Sequence, residues 1–322
     1  MTFMQYDLEK LVDKNHPLRK IETTVSFDSL AYRLKDLDNN LGRKGYGAEV
    51  GLRCLYLQFH YDLPDRAMEE QLRDSLAIKW FCGFEVGEQT PDHSYFGRMR
   101  KAIGTKGIAK IFNAIIKKAE NKNIVRNVFA FVDATAIKTK ETTWAERDKA
   151  VKDGVATLNN SNISKYSADN QARFGCKGKS KFWFGYKEHA CCDMSSMLIT
   201  KIAVTSAEIP EQKAFAHICP RNGQMVFADK AYCLKTAQLE MEKRNCFSAA
   251  ILKNNMIGKN KDLDRWRTKI RAPFEGIFSK FEKRARYRGQ AKVQLQAFMD
   301  ALVWNVKRLV KINAPPLFLQ AA

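Results

Sequence analysis

The sequence predicts an α/β protein, in which an all-α N-terminal region leads into a mixed sheet flanked by helices. Three observations carry that expectation. Up to about residue 123, apolar residues recur at spacings of three and four, the period of helices that bury one face. Beyond it come short unbroken apolar runs, Val128-Phe-Ala-Phe-Val132 and Met225-Val-Phe-Ala228, each stopping at an aspartate, as central strands do where they emerge at a sheet edge. Strands then alternate with helix-length segments, the pattern of a layered sheet. The domains expected are a helical region over 1–123 and a sheet domain over 124–322, with a basic insertion at about 138–180.

In the helical region, Val50, Leu52, Cys54, Leu55, Leu57 and Phe59 make a mostly apolar helix from Ala48 to Tyr61, stopped before Pro64. Asp65 is the expected N-cap of the next, polar helix, and Ile78 to Phe81 form a further helix that ends at Gly83. Pro91-Asp92-His-Ser94 opens a helix carrying Arg98, Arg100 and Lys101. After Gly104, Ile108, Ile111, Phe112, Ile115 and Ile116 oppose Lys110, Lys117, Lys118 and Lys122 on one amphipathic helix.

In the sheet domain, Lys181 to His189 and Met197 to Val204 read as strands with a turn at Asp193-Met-Ser-Ser196. Pro210 to Ile218 and Leu234 to Lys243 read as helices, and Phe247 to Leu252 as another strand. Residues 138–180 are too polar and too long for a connector, and form either a functional loop or a small subdomain. Asn254 to Lys269 reads as a polar link. Pro273 then stands in a first helical turn, followed by a stripe of Phe274, Ile277, Phe278 and Phe281. The final helix, with Leu295, Met299, Leu302, Val306 and Leu309, serves core or dimer packing.

The chain has 322 residues and a formal net charge of +20, yet 45% of it is hydrophobic and 11% aromatic. It has a core to bury, so a disordered basic tail is excluded and an anionic partner is expected. No apolar run reaches the length of a membrane span and the first residues lack a secretory pattern, so the expected location is the cytoplasm. Eight cysteines without a C-x-x-C pair read as reduced, mostly core thiols. His189, Cys191 and Cys192 do not read as metal ligands, because alternation along a strand divides them between two faces.

Asp133 and Asp229 would project from one edge if their strands are neighbours, and their mutual repulsion would call for a cation. Carboxylate oxygens suit Mg²⁺. The alternative for each is a turn or cap residue. Glu275 falls off the apolar stripe of its helix, either completing such a site or interacting with the helix dipole and Arg271. Eleven cations between Lys259 and Arg288, interleaved with Trp266 and Tyr287, suit a phosphate backbone. Solvated surface is the alternative, as it is for Arg98, Arg100, Lys101, Lys117 and Lys118. Trp144 and Trp183 are candidates for base stacking or for local packing.

Over nearly its whole length the chain resembles the transposases of bacterial insertion sequences that carry an Asp-Asp-Glu triad on a ribonuclease-H-like core. The segments bearing the resemblance are Val132-Asp133-Ala-Thr135, Phe174-Gly-Cys-Lys-Gly-Lys179, Phe184-Gly-Tyr-Lys-Glu-His189, Ala228-Asp229-Lys-Ala-Tyr232 and Lys269-Ile-Arg271-Ala-Pro-Phe-Glu275-Gly-Ile-Phe278, preceded by Leu72 to Phe81 and Pro91 to Ser94. The resemblance implies a triad of Asp133, Asp229 and Glu275 binding two Mg²⁺ ions, with Mn²⁺ able to stand in. Arg271 matches the arginine of the family's Tyr-Arg-Glu-Lys signature. Thr268 replaces the signature tyrosine, and Glu282 occupies the lysine position with Lys283 one place later.

The activity implied is cleavage of double-stranded DNA at inverted-repeat ends and transfer of the 3′-hydroxyl ends into target DNA, by a homodimer associated with the bacterial nucleoid. The expected DNA contacts are Arg271, Lys280, Lys283, Arg284 and Arg286 around the triad glutamate, Lys177, Lys179 and Lys181 in the insertion, and Arg98, Arg100 and Lys101 in the helical region. Two alternatives stand beside it: an inactive, transposase-derived repressor, and a ribonuclease-H-like nuclease without strand transfer.

Overall fold

A computed structural model describes residues 7–37, 45–140, 144–178, 180–279 and 281–313. They form two compact units, one of the chain up to Ile115 and from Leu302 onward, the other of Ile116–Ala301. No helix among the described residues is long and apolar enough to cross a membrane.

The first unit is helical: α1 Leu8–Leu11, α2 Pro17–Thr24, α3 Phe27–Ala31 and a 3₁₀ turn, then α4 Gly47–His60, α5 Asp65–Asp74, α6 Leu76–Cys82 and most of α7 His93–Asn121. The rings of Tyr56 and Phe81 stand 5.2 and 5.3 Å from that of Phe27, and α4 is apolar nearly all round because every residue from Gly51 to Phe59 is buried. Gly83, at φ 79°, ends α6, and Gly104, at φ 57°, breaks α7 where the sequence marks a boundary. Asp65 does not cap α5. It is the first helical residue, after an extended Pro64, and its carboxylate accepts from Arg100 and Gln58 instead.

The second unit holds β1 Phe129–Lys138, α8 Trp144–Lys152, α9 Ile163–Tyr166, β2 Arg173–Lys177, β3 Lys181–Asp193, β4 Ile199–Ser206, α10 Glu211–Ile218, β5 Met225–Phe227, α11 Lys235–Lys243, β6 Phe247–Ser248, α12 Lys261–Phe278 and the start of α13 Gln290–Asn313. The sheet runs β2-β3-β1-β5-β6, with β4 also on β3. β1 is antiparallel to β3 and parallel to β5, and β5 is parallel to β6. This curled mixed sheet between helices is the ribonuclease-H-like arrangement expected. One face packs Ala130, Val132, Val226 and Ala228 against Phe215, Ile218, Ala237 and Met241 of α10 and α11. The other sets Phe131 against Phe274 and Phe227 against Trp266 of α12, ring centroids 5.9 and 6.0 Å apart. In α13, Leu295, Met299, Leu302, Val306 and Leu309 are buried.

Three elements depart from expectation, and the insertion, for which a loop and a small subdomain were both open, holds α8, α9 and β2 among its described residues. β1 does not end at Asp133: the 13 residues of β3 supply ladder partners as far as Lys138. β6 is two residues long, although the Ala249 and Ile251 N–H groups beyond it still donate to the Val226 and Ala228 carbonyls. The polar link is largely helix: Asn260 caps α12, accepting from the N–H groups of Asp262 and Leu263, and Pro273 lies inside the helix rather than in its first turn. The buried face of its first half carries Asp264, paired with Lys259 and Arg267, and Arg271. Charges occupy positions where periodicity requires apolar residues.

Candidate active site

The parallel ladder between β1 and β5 pairs Phe129 with Met225, Ala130 with Val226 and Phe131 with Phe227. Two residues farther on at the same offset are Asp133 and Asp229. β5 stops at Phe227, and the chain turns through Asp229, whose carboxylate accepts from the Ala231 N–H at 2.8 Å. Asp133 therefore lies at an edge on this side only, while its other side is bonded to β3. Its own carboxylate accepts from the Ala134 N–H at 2.8 Å. Alternation puts Asp133 on the face of Phe131, under α12.

Burial above all, with the charge of Asp229 adding to it, pushes the Asp133 carboxyl up to about 6, against the Ala134 N–H, Arg271 and Lys177. A third acid shares this field. Glu211, the first residue of α10, is pushed up to about 7 by burial and then by Asp229 and Asp133, while Lys187 and Lys177 oppose the shift. The phenol of Tyr232 is fully buried and held well above its ordinary range by burial and by the charges of Glu211, Asp133 and Asp229. The sequence assigned no role to Glu211 or Tyr232. The only signs were that Glu211 follows Pro210 at a helix start and that Tyr232 closes the segment containing Asp229.

Arg271 joins this group to Glu275. It is buried, its guanidinium stands 5.6 Å from the centre of the Phe131 ring, and its Nη2 is 3.4 Å from Glu275 Oε1. Glu275 itself is half exposed. Because α12 begins at Lys261, Glu275 lies in the last helical turn, where the dipole disfavours an anion. The Arg271 contact offsets this. Asp133 and Asp229 thus come together, and Glu275 is attached through Arg271. Among the described residues no three His, Cys, Asp or Glu side chains are close enough to enclose a metal ion.

The donors on offer are carboxylate oxygens with a buried, unpaired Tyr232 hydroxyl beside them. That set fits a hard divalent cation, and Mg²⁺ needs only one or two protein carboxylates. Eight free cysteines stand outside it, all buried except Cys176. His189 is buried and bonded to Thr205 Oγ1 at 2.9 Å.

Lys177 and Lys181 pair across the β2–β3 hairpin and are exposed. Lys181 is nine residues along β3 from Ala190, the partner of Asp133, which in a straight strand would be about 30 Å. The charge of Lys177 acts on both Asp133 and Glu211. Gly185 lies between β1 and β2 at the closest approach: its φ is 147°, and a Cβ there would lie 2.2 Å from the Ile137 carbonyl oxygen. Lys283 and Arg284 are exposed next to the end of β1, where the Lys138 N–H donates to the Lys283 carbonyl. Arg286 is half-buried and its charge acts on Asp300. Trp183 is half-buried and donates to the Tyr186 carbonyl. In the helical unit, Arg98 and Lys101 face solvent, whereas Arg100 is committed to Asp65 at 2.6 Å. Lys179, Lys280 and the side chain of Trp144 lie outside the described residues.

Two family models match the chain. One, described as Transposase domain (DUF772), covers residues 6–102, and the other, described as Transposase DDE domain, covers residues 126–306. No solved structure matches.

Proposed function

We propose that this chain, which belongs to the family of DDE transposases, cuts double-stranded DNA at the inverted-repeat ends of an insertion sequence and joins the 3′-hydroxyl ends to target DNA. Membership makes it an enzyme that acts on DNA with divalent metal. The observation that supports the finer reading is the pairing of Asp133 and Asp229 at the end of the β1–β5 ladder, where the Asp133 carboxyl is displaced upward by burial and by its neighbour.

Asp133 and Asp229 would hold Mg²⁺, or Mn²⁺ in its place, with Glu275 completing the set for a second ion. When bound, such ions lower the pKa of an attacking water or 3′-hydroxyl and stabilise the leaving oxygen. Arg271 keeps Glu275 against the site and limits the negative charge around Asp133. Lys177 and Lys181, on the β2–β3 hairpin, and Lys283 and Arg284, beside the end of β1, bind phosphates flanking the scissile bond. Water and the 3′-hydroxyl serve as the nucleophiles, so no Ser or Tyr carries a covalent link. We place Arg98 and Lys101 on transposon-end phosphates, and two protomers on two ends in the bacterial nucleoid.

The attachment of Glu275 through Arg271, outside any three-acid group, favours a second reading: a protein that occupies ends without cutting them. The chain is incubated with its flanking inverted repeats and Mg²⁺, and breaks are mapped to the nucleotide. Pre-cut ends are then supplied with target DNA. The first reading expects breaks at the repeat boundary and joined products. End binding without breaks supports the second reading, and breaks without joining point to a nuclease.

A further inference from the structure

Tyr232 presents a donor with nothing to donate to. It is fully buried, packs its ring 5.6 Å from that of Phe215, and its hydroxyl has no hydrogen-bond partner. Around that hydroxyl act the charges of three carboxylates, Glu211, Asp133 and Asp229. A buried hydroxyl without an acceptor keeps its whole desolvation penalty, so a polar ligand belongs at this point. Glu211 is fixed there by its element. Pro210 is extended, α10 starts at the next residue, and Lys187 Nζ donates to the Ile209 carbonyl at 3.0 Å, pinning the approach to the helix. The charges of all three acids reach this one hydroxyl, and those of Asp133 and Asp229 reach Glu211, yet the acids are not close enough to enclose an ion directly. Ordered water between carboxylate and cation reconciles the two facts, since Mg²⁺ and Mn²⁺ keep part of their hydration shell.

We infer that Glu211, aligned by the Tyr232 hydroxyl, is a further functional carboxylate that holds the hydration shell of a divalent cation seated on Asp133 and Asp229. The inference rests on the reading of those two aspartates as the cation-binding pair. Glu211 is a positioning residue: it accepts hydrogen bonds from cation-bound water, and Tyr232 donates to the same water network. Partners of this kind change metal affinity by about 10- to 100-fold.

The test is Mn²⁺ binding to the full chain without DNA, followed by electron paramagnetic resonance, for wild type and for Asp133→Asn, Glu211→Gln, Glu211→Asp and Tyr232→Phe. Melting temperatures are recorded with and without Mn²⁺. Glu211→Gln is expected to weaken Mn²⁺ binding about 10- to 100-fold and to reduce the Mn²⁺-induced rise in melting temperature. Its metal-free melting temperature should match or exceed wild type, which a merely structural role would not produce. Glu211→Asp should recover part of the affinity, and Tyr232→Phe should weaken it less than Glu211→Gln does. Wild-type affinity in Glu211→Gln together with loss in Asp133→Asn overturns the inference and leaves the aspartate pair standing. Wild-type affinity in Asp133→Asn overturns the pair itself, and the role of Glu211 with it.

Discussion

Replacing Asp133 by Asn removes a charge that the fold holds against its preference. Burial, reinforced by Asp229, raises this carboxyl from 3.8 to about 6. At about 1.4 kcal/mol per pKa unit, that displacement is worth roughly 3 kcal/mol. The folded pKa lies above the unfolded one, so the stability it represents is present in full below about pH 4 and is lost as pH rises through about 6. Asparagine keeps the shape and cannot lose it. Urea unfolding with a chelator present, at pH 4.5 and pH 7.5, measures the difference. Asp133→Asn should match wild type within about 1 kcal/mol at pH 4.5 and exceed it by about 2–3 kcal/mol at pH 7.5, while losing cleavage. Because Asp229 supplies part of the displacement, the double Asn variant should gain less than the sum of the singles. A variant equally or less stable than wild type at pH 7.5 would refute the reasoning.

Asp300 is pushed up to about 7, chiefly by burial, beside a Glu188 that is fully buried with neither carboxylate oxygen paired. Asp300→Asn should therefore add up to about 4 kcal/mol above pH 7.5 and almost nothing below pH 4, read as a melting-temperature gain that grows with pH. Gly185→Ala puts a Cβ against the Ile137 carbonyl at a positive φ; urea unfolding should show a loss of at least about 2 kcal/mol, and cleavage should fall with it. Arg271→Lys loses the planar contact over Phe131 and most of the grip on Glu275. It should cost about 1–2 kcal/mol, and unchanged stability would contradict the role given to this arginine.

The parts of the fold legible in the sequence were those where local pattern and burial agree. The apolar run of α4, the breaks at Gly83 and Gly104, the turn at Asp193 and the helix after Pro210 all announce themselves in composition. α12 did not, because its first half buries Asp264 and Arg271 in ion-paired contacts, and its proline imitates a helix start. β2 was hidden in a polar insertion, since pairing with the long β3 orders it rather than its own apolar content. The aspartates were legible as strand-end acids, although only the register shows that they stand level. Glu211 was not legible, because its approach to Asp229 depends on α10 and β5 meeting in space. Arg100 read as a phosphate contact, and its ion pair with Asp65, thirty-five residues away, was not legible in the sequence.

The central claim is that Asp133 and Asp229 act together in metal-dependent DNA cleavage. Asp133→Ala and Asp229→Ala, tested separately on an inverted-repeat duplex with Mg²⁺, measure it most directly when end binding is followed by gel shift in the same samples. Each variant should lose at least about 1,000-fold in cleavage rate and keep its affinity for the end within a few fold. Full cleavage by either variant would contradict the account.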